Sequence, residues 1–474
     1  MTDAPEHEDE NPTIEEERAS DEAFESPGVI APSFIARFIG ALADSDILFL
    51  RRTLNDLHPA DAADLLEHLP QDVFARTLHL LGQHMPAEVV AELADDAREA
   101  ALEEMSDAAI AAITENLDSD DASLILNDLD DERRAQVLAR VSATDRAAIE
   151  TSLAFDEESA GRLMQRDFVA APVFWTVGQT IDHLRSVDED DLPDTFFEIY
   201  GVDPAFRLQG TVPLATILRS ARDTPLSDIM EEAAVKILPE MDQEEVAYVF
   251  QQYNLASAPV VDDAGRLTGM ITVDDMVDVI QEENREDMLA LSGVSEAGAN
   301  QSVMSAVRAR APWLVTNMFT AFLASGVVYI FQDTIDRIVA LAVLMPVVGG
   351  LCGNAGSQSL AVAVRAIAER DLEGSLVARA VRREVLTALI NGLLLAVLSG
   401  IGAAVWFHRP EIGFVVAAAL VFNFIWAGLI GIAAPLALKR LGADPAVASG
   451  VFVLTSIDLM GFFLFLGLAT MLLL

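Results

Sequence analysis

Two polar features stand out in the apolar C-terminal part of the chain, and both are suited to handling a cation. The first is Asp458, in Thr455-Ser456-Ile457-Asp458. A carboxylate at membrane depth costs at least ~3 kcal/mol on insertion scales, so such a group is usually paired or functional. It is read as the only ionisable residue well inside a span, with no Lys or Arg at similar depth. A cation from outside the chain is its natural partner; a protonated Asp bonded to a neighbouring helix is the alternative. The second feature is Pro346 followed by the run from Gly349 to Gln358. There Gly349, Gly350, Gly353 and Gly356 accompany Asn354, Ser357 and Gln358. Such a run bares backbone carbonyls, which is tolerated at membrane depth only inside protein or beside a water-filled cavity. Close helix packing through small residues is the competing reading. At 1.5 Å per residue Asp458 lies ~17 Å into its helix, and the glycine run starts a similar distance down a helix of opposite direction. The two meet near the midplane, which describes a cation pathway.

The elements that must hold these residues are apolar runs long enough to cross a bilayer, for which about 20 residues suffice. Five are expected, at 312–331, 338–364, 385–407, 413–438 and 447–474, joined by short connectors that include 332–337 and 365–384. The charge distribution agrees with this division. The chain has 474 residues, 75 acidic and 30 basic, and a net charge of −45. Residues 311–474 hold nine basic and nine acidic side chains, so residues 1–310 carry 21 and 66 and the whole imbalance. So acidic a chain is excluded as a nucleic-acid binder. The single cysteine, Cys352, excludes a disulfide framework or a thiolate metal cluster. The first 26 residues are acidic and polar, unlike a secretory signal.

An odd number of spans puts the termini on opposite sides of the membrane. With the N-terminus inside, the inner side holds Arg308, Arg310, Arg365, Arg370, Arg379, Arg382, Arg383, Lys439 and Arg440, and the outer side only Arg337 and Arg409. The positive-inside rule therefore predicts a multi-pass protein of the cytoplasmic membrane, N-terminus cytoplasmic and C-terminus outside.

Residues 1–33 form an acidic tail expected to be disordered. From 34 to 150 the apolar spacing is helical, in short segments that open with Pro or Asp/Ser start signals, at Pro59, Pro86 and Asp118-Ser119-Asp120-Asp121. Stacked short helices forming a small superhelix are expected. His58, His68, His79 and His84 are spaced too irregularly for a metal cluster and are read as surface positions. Further on, Ala258-Pro259-Val260-Val261 and Gly269-Met270-Ile271-Thr272 read as strands around a turn at Asp262-Asp263-Ala264-Gly265, the second leading into a helix.

The run from Leu344-Met345-Pro346 through Gly353-Asn354-Ala355-Gly356-Ser357-Gln358 to Val364-Arg365-Ala366 resembles the signature of the MgtE family of magnesium channels. Lys439-Arg440-Leu441-Gly442-Ala443-Asp444-Pro445-Ala446 and Asp458 through Gly461-Phe462-Phe463 resemble it also, so that the match runs over nearly all of 311–474. Residues 34–150 are similar to the family's N domain, 231–287 to a CBS domain, and 160–230 to a degenerate first CBS copy. In that first copy the stretch Tyr200 to Gly210 stands where a tidy turn is expected. A connecting helix is expected over 275–310 and the pore domain over 311–474. The implied fold class is multi-domain: an all-α membrane domain of five transmembrane helices, preceded by a cytoplasmic α-helical superhelical N domain and an α/β tandem CBS pair.

The resemblance implies a homodimeric Mg²⁺ channel whose pore is lined by the second and fifth spans, with Asp458 holding a largely hydrated ion. Thr455, Gly350, Gly353, Asn354, Ser357 and Gln358 are its expected pore companions. Mg²⁺ sheds water reluctantly and is commonly held through few carboxylates. The resemblance also makes Asp242, Glu244, Asp275, Asp278, Glu283, Glu286 and Asp287, with Asp120 and Asp121, candidate cytoplasmic Mg²⁺-sensing residues. In some CBS domains a pattern such as Thr272 and Asp275 would instead hold the ribose of an adenine nucleotide, so Mg²⁺ and ATP compete as ligands there. A solvated acidic helix face is the plainest alternative. Some relatives have acids at Thr216, Asn254 and Leu124, and Asn at Ser357. A coupled divalent-cation secondary transporter is the other transport reading, and would need a second membrane carboxylate. An enzyme is not expected, since the spans offer no nucleophile–base pair. Lysine occurs only as Lys236 and Lys439; a high-salt host and a GC-rich genome both account for the arginine preference.

Overall fold

The computed structural model describes residues 23–26, 29–187, 192–193, 195–291, 293–294, 303–368, 372, 375–442 and 445–474. Most of the stretch expected as an acidic tail lies outside them. The chain divides into two units, Met1–Ile280 and Gln281–Leu474.

The first unit opens with a short antiparallel pair, β1 (Phe24–Ser26) and β2 (Val29–Ile30), and helix α1 (Pro32–Ala43), so regular structure begins inside the span read as tail. There follow α2 (Ile47–Asp56), α3 (Pro59–Glu67), α4 (Gln71–Leu81), α5 (Ala87–Ala91), α6 (Asp95–Glu104), α7 (Asp107–Thr114), α8 (Ser119–Asn127), α9 (Asp131–Leu138) and α10 (Ala143–Ser152). Helices this short are marginal alone, and tertiary packing must hold them. Leu50, Leu54, Leu65, Leu66, Leu78 and Ile110 are fully buried in one continuous core. Local signals set the helix starts: the side chains of Ser106, Asp130 and Ser142 each accept from the backbone N–H three residues on.

Arginines tie successive helices together. Arg98 is buried and donates to Asp128 at 2.6 Å, to Asp95 at 3.0 Å and to the Leu93 carbonyl at 3.1 Å. Arg133 reaches the carbonyls of Leu102 and Met105, and Arg134 those of Leu126, Asn127 and Leu129. These are carbonyls at or just past the ends of helices, which lack partners within the helix. The expected histidine surface positions agree with their contacts: His58 caps α3 through Ala60 N–H, and His68 lies 2.7 Å from the Asp64 carbonyl.

The α/β part comprises α11 (Ala160–Leu163), β3 (Ala170–Pro172), α12 (Val177–Leu184), β4 (Glu198–Val202), β5 (Leu208–Pro213), α13 (Leu214–Arg219), α14 (Leu226–Ile229), α15 (Gln243–Tyr253), β6 (Ser257–Val261), β7 (Leu267–Thr272) and α16 (Val273–Leu291). Strand β3 pairs parallel with β4, β4 antiparallel with β5, and β6 antiparallel with β7. The degenerate first copy proves to keep the turn of the second. Asp203 Oδ1 accepts from the N–H groups of Ala205 and Arg207, just as Asp262 Oδ1 accepts from Ala264 and Arg266. The two turns also exchange bonds, Leu208 N–H to Gly265 O and Leu267 N–H to Phe206 O, both 3.0 Å. What differs is the residue with positive φ: Gly265 at 76° in the second copy, Phe206 at 61° in the first. A non-glycine residue is disfavoured there, which is why the turn was illegible in the sequence.

The second unit holds α17 (Val303–Ile330), α18 (Gln332–Arg337), α19 (Ala340–Ala368), α20 (Ser375–Phe407), α21 (Pro410–Arg440) and α22 (Pro445–Leu473). Five of these, all but α18, are long and apolar enough to cross a membrane. The expected connector 332–337 is helical, and α20, the helix that carries the third apolar run, begins at Ser375, ten residues before that run. Helix α21 is central: Val415, Val416, Ala419, Leu420 and Ala427 are buried, while α20, α22 and α19 pack around it. Cys352 is buried in this core.

Removing Arg98 strands the carboxylate of Asp128, whose side chain is only 22% exposed. Arg98→Ala is expected to cost about 3–5 kcal/mol, read as a lowered denaturation midpoint of the first unit within the full-length protein.

Candidate functional site

In the membrane unit, three glycines of α19 spaced four and three apart face α22. A Cβ added at Gly349 would lie 3.4 Å from the Phe462 ring and 4.0 Å from Asp458 Oδ1; at Gly353 it would meet Leu454 at 3.8 Å; at Gly356 it would collide with Ile457. Asp458 is thus half-buried against the bare backbone of α19. The glycine run packs the two helices closely and brings the main chain at Gly349 near the carboxylate. Neighbouring bonds fix the rotation of α22: Trp426 Nε1 donates to Ser456 Oγ at 3.2 Å, and Asn423 Nδ2 to the Gly461 carbonyl at 3.2 Å.

The other expected pore residues are not all gathered around Asp458. Thr455 donates its hydroxyl to the Val451 carbonyl of its own helix, 2.6 Å away. Gly350, Asn354, Ser357 and Gln358 are exposed in the single chain. Asn354 and Gln358 lie on the α20 side of α19, where they line a cavity with Glu384. Glu384 falls inside α20, because the helix starts ten residues before the apolar run read from the sequence. No glycine or proline separates Ser375 from Glu384, a signal that could have revealed it.

In the first unit, acids from separate helices converge. Asp120 and Asp121 occupy the first turn of α8, and Asp274, Asp275 and Asp278 the start of α16. Thr272 orients Asp275, donating its hydroxyl to Oδ2 at 2.8 Å and its N–H to the same atom at 3.3 Å. Asp120 Oδ1 is buried with no hydrogen-bond partner. Burial, then the negative charge of Asp275, holds the Asp120 carboxyl well above its usual range. Burial and Asp118 push Asp121 up to about 6; burial, offset in part by Thr272 and reinforced by Asp274 and Asp121, pushes Asp275 to about 7. Asp278 and Glu92 are raised as well, by burial and then by Asp274 and by Asp278 respectively. Glu92 was not foreseen, because only tertiary packing brings α5 to this place.

Of the remaining candidates, Asp242 caps α15 by accepting from Glu244 N–H at 2.9 Å. Glu283, Glu286 and Asp287 lie on α16 beyond Ile280, in the second unit. Among the described residues, no three His, Cys, Asp or Glu side chains are grouped as a closed metal-binding set. The Asp120–Asp275 pair nevertheless fits a hard divalent ion in its chemistry. Its donors are carboxylate oxygens, one of them an orphan in a buried place, and like charges so placed need a proton or a cation.

Five apolar helices with a carboxylate at a glycine face, together with an acidic unit of stacked helices and paired α/β repeats, define an integral membrane protein built for divalent cations. Residues 345–468 match the family described as MgtE, divalent cation transporter; 57–158 match the MgtE intracellular N domain; 226–282 match the CBS domain. The chain is 34% identical over 443 residues to the magnesium transporter MgtE of Thermus thermophilus, covering 91% of this chain and 97% of that one. It is 29% identical over 438 residues to the magnesium transporter MgtE of Bacillus subtilis, covering 92% and 96%. Among solved structures, the cytosolic domain of the Mg²⁺ channel MgtE in complex with ATP is similar, at 30% identity and a TM-score of 0.48, covering 52% of this chain and 99% of that one. The chain belongs to the MgtE family of magnesium transporters, with an N domain, a CBS pair and five membrane helices as its parts.

The raised carboxyls carry a pH signature. For Asp275 the folded value, about 7, exceeds the ordinary 3.8, so its contribution to stability is present at low pH and lost as pH rises through that window. Thermal unfolding of the full-length protein without divalent ions is expected to fall across roughly pH 4 to 7. Added Mg²⁺ should reverse the fall, and Asp120→Asn with Asp275→Asn should flatten both trends.

Proposed function

We propose that the protein is a homodimeric Mg²⁺ channel that admits the ion into the cytoplasm and is closed by cytoplasmic Mg²⁺ bound among the N domain, the CBS pair and the connecting helix. The observation that carries the pore assignment is Asp458 set against the glycine face of α19. A carboxylate beside bare main chain holds a hydrated ion by charge and through its water, without stripping the shell that Mg²⁺ keeps. An inside-negative potential favours divalent entry by about 4.6 kcal/mol per 100 mV, twice the single-charge figure. The orientation follows from nine basic residues on one side of the spans and two on the other.

Gating is supported by the acids of α8 and α16. Ions that bind the compact arrangement of these helices more tightly than a loose one shift the population toward it. Of the two ligands at Thr272 and Asp275, a divalent ion is the better supported, because Thr272 already gives its N–H and hydroxyl to the carboxylate that a ribose would need. ATP is the competitor, and titrating ATP at fixed Mg²⁺ separates them. A coupled transporter would need a second membrane carboxylate near Asp458, and that reading is tested beside the channel. Mg²⁺ flux into proteoliposomes that persists without any Na⁺ or H⁺ gradient favours the channel; flux that vanishes favours coupling.

Asp458→Ala is expected to abolish Mg²⁺ uptake while dimers still assemble, and growth of a magnesium-auxotrophic host equal to the parent's would defeat the assignment. Neutralising Asp275, Asp278 and Glu283 together is expected to leave currents that cytoplasmic Mg²⁺ no longer suppresses. Unchanged suppression in inside-out patches would refute the sensor.

A further inference from the structure

Glu384 and Ser359 mark a place in the membrane unit with no role so far. Glu384 is nine residues into α20 and Ser359 nine residues before the end of α19. Both therefore lie ~13 Å along their helices from the ends that the 369–374 connector joins, at 1.5 Å per residue. The Glu384 side chain is 12% exposed; Oε2 accepts from the Ser359 hydroxyl at 3.3 Å, and Oε1 is 3.5 Å from Nε of Arg383, itself 66% exposed. So exposed a guanidinium offsets little of the burial of the carboxylate. Beside Glu384 lies a cavity of about 490 Å³, to which Asn354, Gln358 and Ser359 of α19 and Thr387 and Asn391 of α20 add amide and hydroxyl oxygens.

Two glycines of α21 build this space. A Cβ at Gly428 would run into Ala388 at 2.6 Å, and one at Gly431 would run into Ser359 at 2.7 Å and the Gly356 carbonyl at 2.9 Å. Both α19 and α20 are thereby seated on α21 at this level, while they share little contact with each other. The cavity fills the gap, on the face of α19 turned away from α22 and Asp458.

We infer that this cavity is a second cation site of the membrane unit, separate from Asp458, and that it takes a divalent ion with its hydration water. The lining holds no sulfur or imidazole and so suits a hard ion. Six waters around such an ion occupy ~180 Å³ at ~30 Å³ each, which the cavity accommodates. One carboxylate with amide and hydroxyl groups to bond those waters is the donor set of an ion that dehydrates reluctantly. An ion here draws α19 toward α20 and so sets the helix that presents Gly349 to Asp458. This inference rests on the reading of the unit as a divalent-cation pathway.

Anomalous difference density from the full-length protein with Mn²⁺ as probe tests it, in the parent, Glu384→Gln and Asp458→Asn. The expected result is a peak between Glu384 and Asn391 in the parent and in Asp458→Asn. In Glu384→Gln, whose fold is visible in the same density, the peak is expected to be absent and Mn²⁺ affinity at the site at least tenfold lower. A parent peak at Asp458 with none at Glu384 overturns the second site and leaves the pore assignment standing. A peak at Glu384 that survives Glu384→Gln overturns it as well. A Glu384 peak unaccompanied by one at Asp458 supports the second site and counts against the pore assignment instead.

Discussion

A carboxylate taken out of water must be matched by a proton or a cation, and both units of this protein are organised around that constraint. In the first unit Asp120, Asp121 and Asp275 are brought together by helices that begin far apart in the sequence, with their carboxyls held up by burial and by one another. At neutral pH such an arrangement is strained until positive charge arrives. In the membrane unit Asp458 meets a helix face from which side chains have been removed, and Glu384 meets amides and hydroxyls. In each place the protein supplies negative charge and little counter-charge of its own.

Much of this was legible in the residues. The five spans follow from apolar length, and Asp458 stands out because charge is costly there. The second CBS copy was readable because its strands carry β-branched residues around a glycine turn. The third membrane helix was cut short because Arg379, Arg382, Arg383 and Glu384 look like a loop by charge. They are in fact helical, with Glu384 turned inward and Arg383 outward. The distribution of Asn354 and Gln358 was equally hidden. A run of small and polar residues declares that helices come close but not which neighbour each face meets, and here Gly349, Gly353 and Gly356 turn to α22 while Asn354 and Gln358 turn to α20. The contribution of Glu92 depends on packing between distant segments, which local sequence does not encode.

The two α/β copies carry the same lesson about turns. Asp203 and Asp262 make equivalent bonds to the backbone two and four residues on, yet one turn ends on Phe206 and the other on Gly265. The first is held by its exchange of bonds with the second and by the Phe206 ring beside Phe168, 6.3 Å between centroids. Tyr200 of the first copy is buried against Ser257 of the second, whose hydroxyl reaches Glu198 at 3.2 Å. A copy whose own turn residue is unfavourable is thus held in place by its twin.

Cys352 is sealed in the core around α21, the sole thiol of the chain. Burial in an apolar place leaves a thiol inert toward alkylating reagents. A cysteine engineered on any outward position therefore reacts alone, and spin or fluorescent labels can be attached at chosen positions without first altering the native protein.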